Sequence, residues 1–443
     1  MRLAESTTIN PLELLECYCQ AARKVLPSKR RIYTDTLVIY LMVIQFVRNC
    51  SMERVLQDLT IPALKKLQGS CKRVEETHQL STNPSAYWQA WQGVEEEKIL
   101  SLLAETHRII NGQNDNEERQ IVLLDGTTFE LPPTDKLRAE YPPHIAKGAG
   151  KKGSSVFPQI LVLNAHDLNT GCAITSEFGA KYGKNAENEI NLAHKIIPRF
   201  APGSIIVGDK FFGVHSVVYQ AQSLGHYVVL SMTEVRMKSL LRRAGVEDRG
   251  FIDQPFTWTT STFEKLKNKD KGEKPIEARL IVVDIKQEKK IRLYLVTTLL
   301  DVSAQEVIEL YARRWEIEID FRNIKQSTNM KELASKSPKL IRKEILAGLI
   351  AHNLVRAVML LAAKKHGKDP KRLGYIYALD AFKSYLPSIA RARSGAERKR
   401  LFEELLDMVA AKVNKIRKRE PYPRQVYVRR RKYDIHQAQR ADL

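Results

Sequence analysis

The sequence predicts a mixed α/β core, interrupted by a β-rich insertion and flanked on both sides by helical segments. Three observations predict it. Between residues 121 and 232, strand-like apolar runs come first in series and then alternate with helical periodicity, the pattern of a mixed sheet. Residues 234–300 replace that alternation with three extended runs separated by charged loops. Before residue 115 and after Ser303, apolar residues recur at three- and four-residue steps, as they do on amphipathic helices. At 443 residues and 43% hydrophobic content, the chain has material for two or three cores and is too apolar for wholesale disorder.

The elements follow in order. Helices are expected over Pro11–Leu26, Thr34–Val47 and Ser51–Leu59. Asn83-Pro84 reads as an N-cap with proline at the first helical position, opening a helix through Trp88 and Trp91. Lys65, Lys66, Lys72 and Arg73 flank these short helices, which form either a DNA-reading module or a helical cap on the next domain. Strands are expected at Ile121–Leu124, Thr127–Leu131, Phe157–Asn164, Cys172–Phe178, Ser204–Val207 and His226–Met232, with helices at Glu187–Ile197 and Val214–Leu224. The insertion supplies Phe256–Phe263, Ile276–Ile285 and Ile291–Thr298. One helix runs from Ser303 to about Gln326, a second opens at Ser337-Pro338, and more follow. The domains expected are therefore 1–115, 116–233, 234–300 (the insertion), 301–370 and 371–443.

Charge narrows the function. Lys plus Arg total 72 against 51 Asp plus Glu, a net charge of +21. Such an excess favours a polyanionic partner, of which nucleic acid is the commonest; a merely basic enzyme or a ribosome-associated protein is the alternative. The tail from Arg417 to Lys432 suits a phosphate backbone or is simply a solvated arm. Five scattered cysteines with no CxxC pair argue against a disulfide framework and a zinc site. The opening residues carry acids where a signal peptide needs an apolar run, and Leu37–Val47 is too short to span a bilayer, so a soluble cytoplasmic protein is expected.

Three acids carry the chemistry. Asp125 follows the strand run IVLL and Asp209 follows SIIVG, and that edge of an α/β sheet collects functional groups. Either Asp taken alone has a strong structural alternative, since an Asp-Gly after a strand is usually a turn. Glu318 has better company. Counted at about 100° per residue, Tyr311, Arg314, Glu318 and Lys325 fall within one stripe, beside an apolar stripe of Leu310, Ile317, Phe321 and Ile324. Cations flanking one carboxylate suit a site that holds phosphates while the carboxylate holds a metal; an ordinary ion-paired helix is the alternative.

The spacing Y-x(2)-R-x(3)-E-x(6)-K at Tyr311, Arg314, Glu318 and Lys325 resembles the signature of bacterial insertion-sequence transposases of the insertion-sequence-four family, DDE enzymes. The segments LLDGTTFELPPTD, IIVGDKFFG and SKSPKLIRKEILAGLIAHNLVR are similar to the same family, so the resemblance runs from about residue 34 to the tail. It implies a ribonuclease H-like catalytic core holding the β-rich insertion, an N-terminal DNA-binding domain and a C-terminal helical region for dimer contacts. The 109 positions from Asp209 to Glu318 accommodate such an insertion.

The resemblance also implies a chemistry. Asp125, Asp209 and Glu318 would hold two Mg²⁺ ions, with Mn²⁺ able to substitute, for cleavage at transposon ends and strand transfer through a hairpin. Hard cations call for oxygen ligands, which carboxylates supply. Arg314, Lys325 and the Tyr311 hydroxyl would grip DNA phosphates, with Lys210 beside the second Asp. Tyr294 and Trp258 are the insertion's candidates for an aromatic ring stacked on a flipped base. Partners implied are terminal inverted repeats, target DNA and a second copy of the chain, on nucleoid DNA in a prokaryotic cytoplasm. A domesticated nuclease of the same fold and a non-catalytic DNA-binding derivative are the rival readings.

Other signals are set aside. Gly148-x-Gly150-x-x-Gly153 lies in a loop entering a strand, not between strand and helix, so it is not a dinucleotide fingerprint. His352, on an apolar helix, reads as a core residue, and Trp315 as a packing anchor.

Overall fold

A computed structural model of the chain describes residues 33–57, 83–112, 119–145, 155–260, 274–286, 290–327, 330 and 333–414. The expected helix Pro11–Leu26, the cations Lys65, Lys66, Lys72 and Arg73, the Gly148–Gly153 loop and the basic tail lie outside them. The described residues fall into two units, one holding those before 115, 130–158 and from 322 on, the other 115–129 and 159–321.

The first unit begins with helix α1, Asp35–Arg48, whose start is set by Thr34: its hydroxyl accepts from the Leu37 N–H. Asn49 ends it in the left-handed region, at φ 49°. Helices α2 (Met52–Gln57), α3 (Pro84–Gly93) and α4 (Glu96–Asn111) follow, and α3 opens on the expected Asn83 cap and Pro84. A short helix, α5 (Asp135–Glu140), belongs to the same unit.

The second unit is built on one eight-stranded sheet. Its strands are β1 (Ile121–Glu130), β2 (Gln159–Asp167), β3 (Ala173–Ala180), β4 (Ile205–Gly208), β5 (Tyr227–Ser231), β6 (Ile252–Trp258), β7 (Ile276–Lys286) and β8 (Lys290–Thr297). Where two extended pieces were expected after residue 121, β1 runs unbroken through Asp125 and Gly126. The strand order is β3-β2-β1-β4-β5-β8-β7-β6, with β1, β4 and β5 parallel. Helices α6 (Glu189–Ile196), α7 (His215–Ser223), α8 (Glu234–Arg243), α9 (Ala304–Ala312) and α10 (Glu316–Ser327) connect or follow the strands.

The insertion does not stand apart from this sheet. β8 pairs antiparallel with β5 at Val229↔Thr297 through Ser231↔Leu295, and β7 and β6 continue outward. An unpaired β5 would expose a row of backbone donors and acceptors, and β8 satisfies them. One apolar layer crosses the junction: Val122, Leu124, Leu163, Ile206, Leu230, Val296, Leu280 and Phe256 share it, with helices α6 and α7 supplying Leu192, Ile196 and Val217. Arg279 pins the outer strands. It donates from Nε and Nη2 to Asp253 at 3.0 and 2.7 Å and from Nη1 to the Leu299 and Val302 carbonyls.

Helix α11, Pro338–His366, is the core of the first unit, followed by α12 (Tyr375–Arg391) and α13 (Gly395–Ala411). α11 is long and apolar enough to cross a membrane, yet 94% of its most apolar window is buried within the protein, as in a core helix. It packs against α1, α4, α12 and α13, so α11 shares one core with helices expected in separate N- and C-terminal domains. A helix apolar on every side needs cover on every side, and those flanking segments provide it. His352 is the core residue expected, fully buried with Nδ1 3.1 Å from the Tyr375 hydroxyl. Lys343 and Glu344 are buried but satisfied: Lys343 donates to the Trp91 and Gln92 carbonyls, and Glu344 accepts from the Ala334 and Ser335 N–H groups.

Arg279→Ala strips Asp253 and two carbonyls of their donors at once. It is expected to cost about 3 kcal/mol, read as an earlier urea midpoint, and an unchanged midpoint would exclude this role for the arginine.

Candidate active site

The β1–β4 register places the first two acids. The last registered pair is Leu124↔Gly208, so Asp125 and Asp209 are the next residues of neighbouring parallel strands. Chain connections leave β1 and β4 toward opposite ends of the sheet, and such switch points open a crevice at the strands' carboxyl ends. Alternation along β1 turns Asp125 away from the layer that holds Val122 and Leu124.

The two carboxylates feel each other. Asp125 has its pKa pushed up to about 6, chiefly by burial, with Asp209 and Glu189 adding repulsion and the Gly126 N–H and Arg314 opposing it. Asp209 sits in a tight turn in which its Oδ1 accepts from the Phe211 N–H at 2.9 Å. From α8, Arg236 donates to the Lys210 and Gly213 carbonyls at 2.8 and 3.4 Å, bracing the same turn.

Glu318 arrives on a helix that is not continuous. α9 opens with a capping box between Ser303 and Glu306, but it ends at Ala312. Arg313–Trp315 form a 3₁₀ turn before α10 begins at Glu316. A 3₁₀ turn advances about 120° per residue, which shifts the stripe's phase without dispersing it, since Tyr311 and Glu318 both still reach Arg314. Ile317, Phe321 and Ile324 are buried as expected. Asp320 and Phe321 tie α10 to the sheet: Asp320 lies 3.6 Å from Nδ1 of buried His166 on β2, and Phe321 meets the same ring edge-on.

Arg314 stands between the acids electrostatically. Its Nη2 is 3.4 Å from Glu318 Oε1, and its side chain is 13% exposed against 43% for Glu318. Burial opposes its charge, but Tyr311, Asp125 and Glu318 outweigh burial and hold its pKa above the ordinary arginine value. Tyr311 also hydrogen-bonds to it. Among the described residues, no group of three or more His, Cys, Asp or Glu is gathered closely enough to hold a metal ion. Asp125 and Asp209 are neighbours, while Glu318 spends its carboxylate on Arg314.

With this arrangement in view, the match to known proteins is decisive. The sequence model of the transposase DDE domain matches residues 116–354, more than half of the chain and every acid just described. The chain belongs to the transposase DDE domain family. It is 25% identical over 302 residues to the transposase InsG for insertion sequence element IS4 of Escherichia coli (strain K12). That match covers 66% of this chain and 65% of InsG, so the chain spans just under two thirds of its relative, in agreement with the insertion-sequence-four resemblance. A solved structure, the cryo-EM piggyBac transposase synaptic complex with hairpin DNA, covers 92% of this chain and 87% of that chain at 9% identity and a TM-score of 0.42. Likeness that slight fixes neither fold nor function.

The other residues expected to act with these acids are placed as follows. Lys210 is exposed beside Asp209, and Lys325 is half-buried near the end of α10. Trp258 and Tyr294 do not serve as expected: both belong to the apolar layer of the sheet, 5% and 7% exposed, so neither offers a ring face to a base. Trp258 lies edge-on to His215, and the Tyr294 hydroxyl donates to Asp248. Trp315 is the reverse case, expected to anchor packing but 64% exposed, with the Arg314 guanidinium 5.6 Å from its ring centre.

Two residues escaped the sequence reading. Glu189, in the first turn of α6, packs onto Gly126: a Cβ there would fall 2.3 Å from Glu189 Oε1, so a side chain at 126 would push the Glu189 carboxylate aside. Its pKa is raised by burial first and then by Asp209, with Lys181 opposing. Arg236 is the other. Both come from helices whose approach to the acids depends on tertiary packing; the glycine after Asp125 was the one local hint.

Asp125 destabilises the fold it sits in. A carboxyl that binds its proton more tightly when folded contributes stability at low pH, and loses it as pH rises from 3.8 to about 6. Asp125→Asn is therefore expected to stabilise the metal-free protein by about 2–3 kcal/mol at pH 7 and to gain nothing at pH 4. Denaturation at the two pH values checks it, and equal effects at both would rule out the charge as the cause.

Proposed function

We propose that the chain is a DNA transposase that cuts at transposon ends and joins them to target DNA, working on nucleoid DNA in a bacterial cytoplasm. The observation that carries this reading is the pair Asp125 and Asp209, each just past the last registered pair of adjacent parallel strands, with Glu318 on a helix tied to the same sheet, in a chain of the DDE family. The strand order from β3 through β5, with β1, β4 and β5 parallel, supports a ribonuclease H-like core whose sheet the insertion extends.

The donor set fits divalent ions in chemistry: three carboxylates and no sulfur or imidazole, suited to Mg²⁺ with Mn²⁺ able to substitute. Asp125, Asp209 and Glu318 would hold two of them. When bound, such ions lower the pKa of water and neutralise charge on a phosphodiester undergoing in-line displacement. The chain's own residues do the rest. Arg314 and Lys325 pair with phosphate oxygens beside the cut, and Tyr311 donates its hydroxyl to one. Arg236 holds the Asp209 turn, and the His166–Asp320 pair fixes the helix that carries Glu318.

Water attacks the phosphorus at the element's end and releases a 3′-OH. That hydroxyl displaces the opposite strand's phosphodiester to close a hairpin, a second water reopens it, and the 3′-OH then attacks target DNA. The net charge of +21 supports DNA as the partner. The segment before residue 115 is the DNA-binding part, the helices after 371 supply dimer contacts, and two copies act together on paired ends.

Full-length protein with Mg²⁺ and DNA carrying its own flanking repeats is expected to yield cut ends and joined products. Asp125→Asn, Asp209→Asn and Glu318→Gln should each reduce cleavage to background while leaving end binding intact. Normal cutting by any of them removes that acid from the mechanism, and cutting without joining turns the reading into a nuclease. Lys325→Ala should weaken end binding and lower the slope of log K against log salt by about one; an unchanged slope would deny it a phosphate.

A further inference from the structure

We propose that Arg314 is the site's own placeholder cation, occupying Glu318 in the DNA-free protein so that divalent ions are admitted together with a DNA phosphate. This inference rests on the metal-dependent transposase reading above and adds an order of events to it.

Four observations support it. First, Arg314 Nη2 pairs with Glu318 Oε1 at 3.4 Å, and Asp125 also stabilises its charge. One guanidinium thus answers two of the three acids that the reading assigns to metal. Second, no group of three ligating acids is gathered among the described residues, although Asp125 and Asp209 are strand neighbours. Glu318 is the one of the three seen paired with a cation. Third, Arg314 Nε is buried and has no hydrogen-bond partner among the described residues. A guanidinium has five N–H donors and meets phosphate oxygens two at a time. An arginine with a buried, unused donor in a DNA-handling site has not yet met its final partner, and a phosphate would fill that place. Fourth, Arg314 sits in the 3₁₀ turn between α9 and α10, and such breaks within helices recur where a segment must move.

The sequence of events follows. Before DNA arrives, a cation bound to the protein must compete with Arg314 for Glu318. An incoming phosphate offers the guanidinium a better-matched partner, Arg314 turns to it, and Glu318 is released to join Asp125 and Asp209. Phosphate and metal therefore help each other to bind, and linkage requires that help to be mutual. Arg314 would set when the site becomes active as well as gripping its substrate.

The test measures Mn²⁺ binding from the electron paramagnetic resonance signal of the free ion, on full-length protein with and without a cleaved terminal-repeat duplex, DNA-only controls subtracted. Arg314→Met is expected to bind Mn²⁺ at least tenfold more tightly than the parent when DNA is absent, and to lose most of the tightening that DNA confers on the parent. In the Glu318→Gln background the same substitution should bring no gain, because the carboxylate it frees is gone. Arg314→Lys, which keeps the charge on a shorter reach, should fall between.

Unchanged or weaker DNA-free Mn²⁺ binding in Arg314→Met overturns the placeholder role. A gain that survives in Glu318→Gln also overturns it, pointing to a general field effect and not to competition for Glu318. Failure of the underlying reading looks different: Asp125→Asn and Asp209→Asn would then leave both Mn²⁺ binding and cleavage untouched.

Discussion

Two neighbouring strands run in the same direction and each carries an acid just after their last registered pair, and this parallel pairing of β1 with β4 governs the rest of the site. With Leu124 paired to Gly208, Asp125 and Asp209 follow as the next residues of the two chains. Burial first, and repulsion from Asp209 after it, leave Asp125 holding its proton to about pH 6. Groups that destabilise their own fold are kept for what they bind. The hydrophobic layer on the other side of the sheet, continuous from β2 to β6, makes such a concentration of charge affordable.

Everything that reaches the acids from elsewhere answers to their charge. Arg314 meets Asp125 and Glu318, Arg236 holds the Asp209 turn by its carbonyls, and Glu189 adds a further negative group against Gly126. The helix carrying Glu318 is fixed by a buried histidine and a ring contact, not by the acids. Position and charge are thus separately controlled. That separation lets a residue such as Arg314 change partners without the scaffold giving way.

Local chemistry made much of this legible in advance. Asp125 and Asp209 stand after short apolar runs, and the spacing of Tyr311, Arg314, Glu318 and Lys325 is a one-dimensional pattern that needs no tertiary information. The sheet's edge was not legible, because nothing in Ile291–Thr298 says which neighbour it pairs with, and β5 supplied it. For the same reason Trp258 and Tyr294 stood as candidates to stack on a base, whereas the extended layer buries them. Trp315 erred in the opposite direction. At about 100° per residue it falls well away from the apolar stripe, so its exposure was legible in the same count that placed Glu318; the 3₁₀ turn was not, because no capping residue or proline at 313–315 announced it.

The break has a consequence for how the signature itself is understood. On an unbroken helix, Tyr311, Arg314, Glu318 and Lys325 would form one rigid row, and their spacing would reflect a single surface. Here the Tyr and the Glu lie on different helices, with the Arg in the turn between them. The spacing therefore encodes a joint: Tyr311 and Glu318 each bond to or pair with Arg314 from opposite sides of it. A substitution that straightened the joint would keep every signature residue and still disturb the site. The chemistry of the motif depends on the backbone between its letters as much as on the letters.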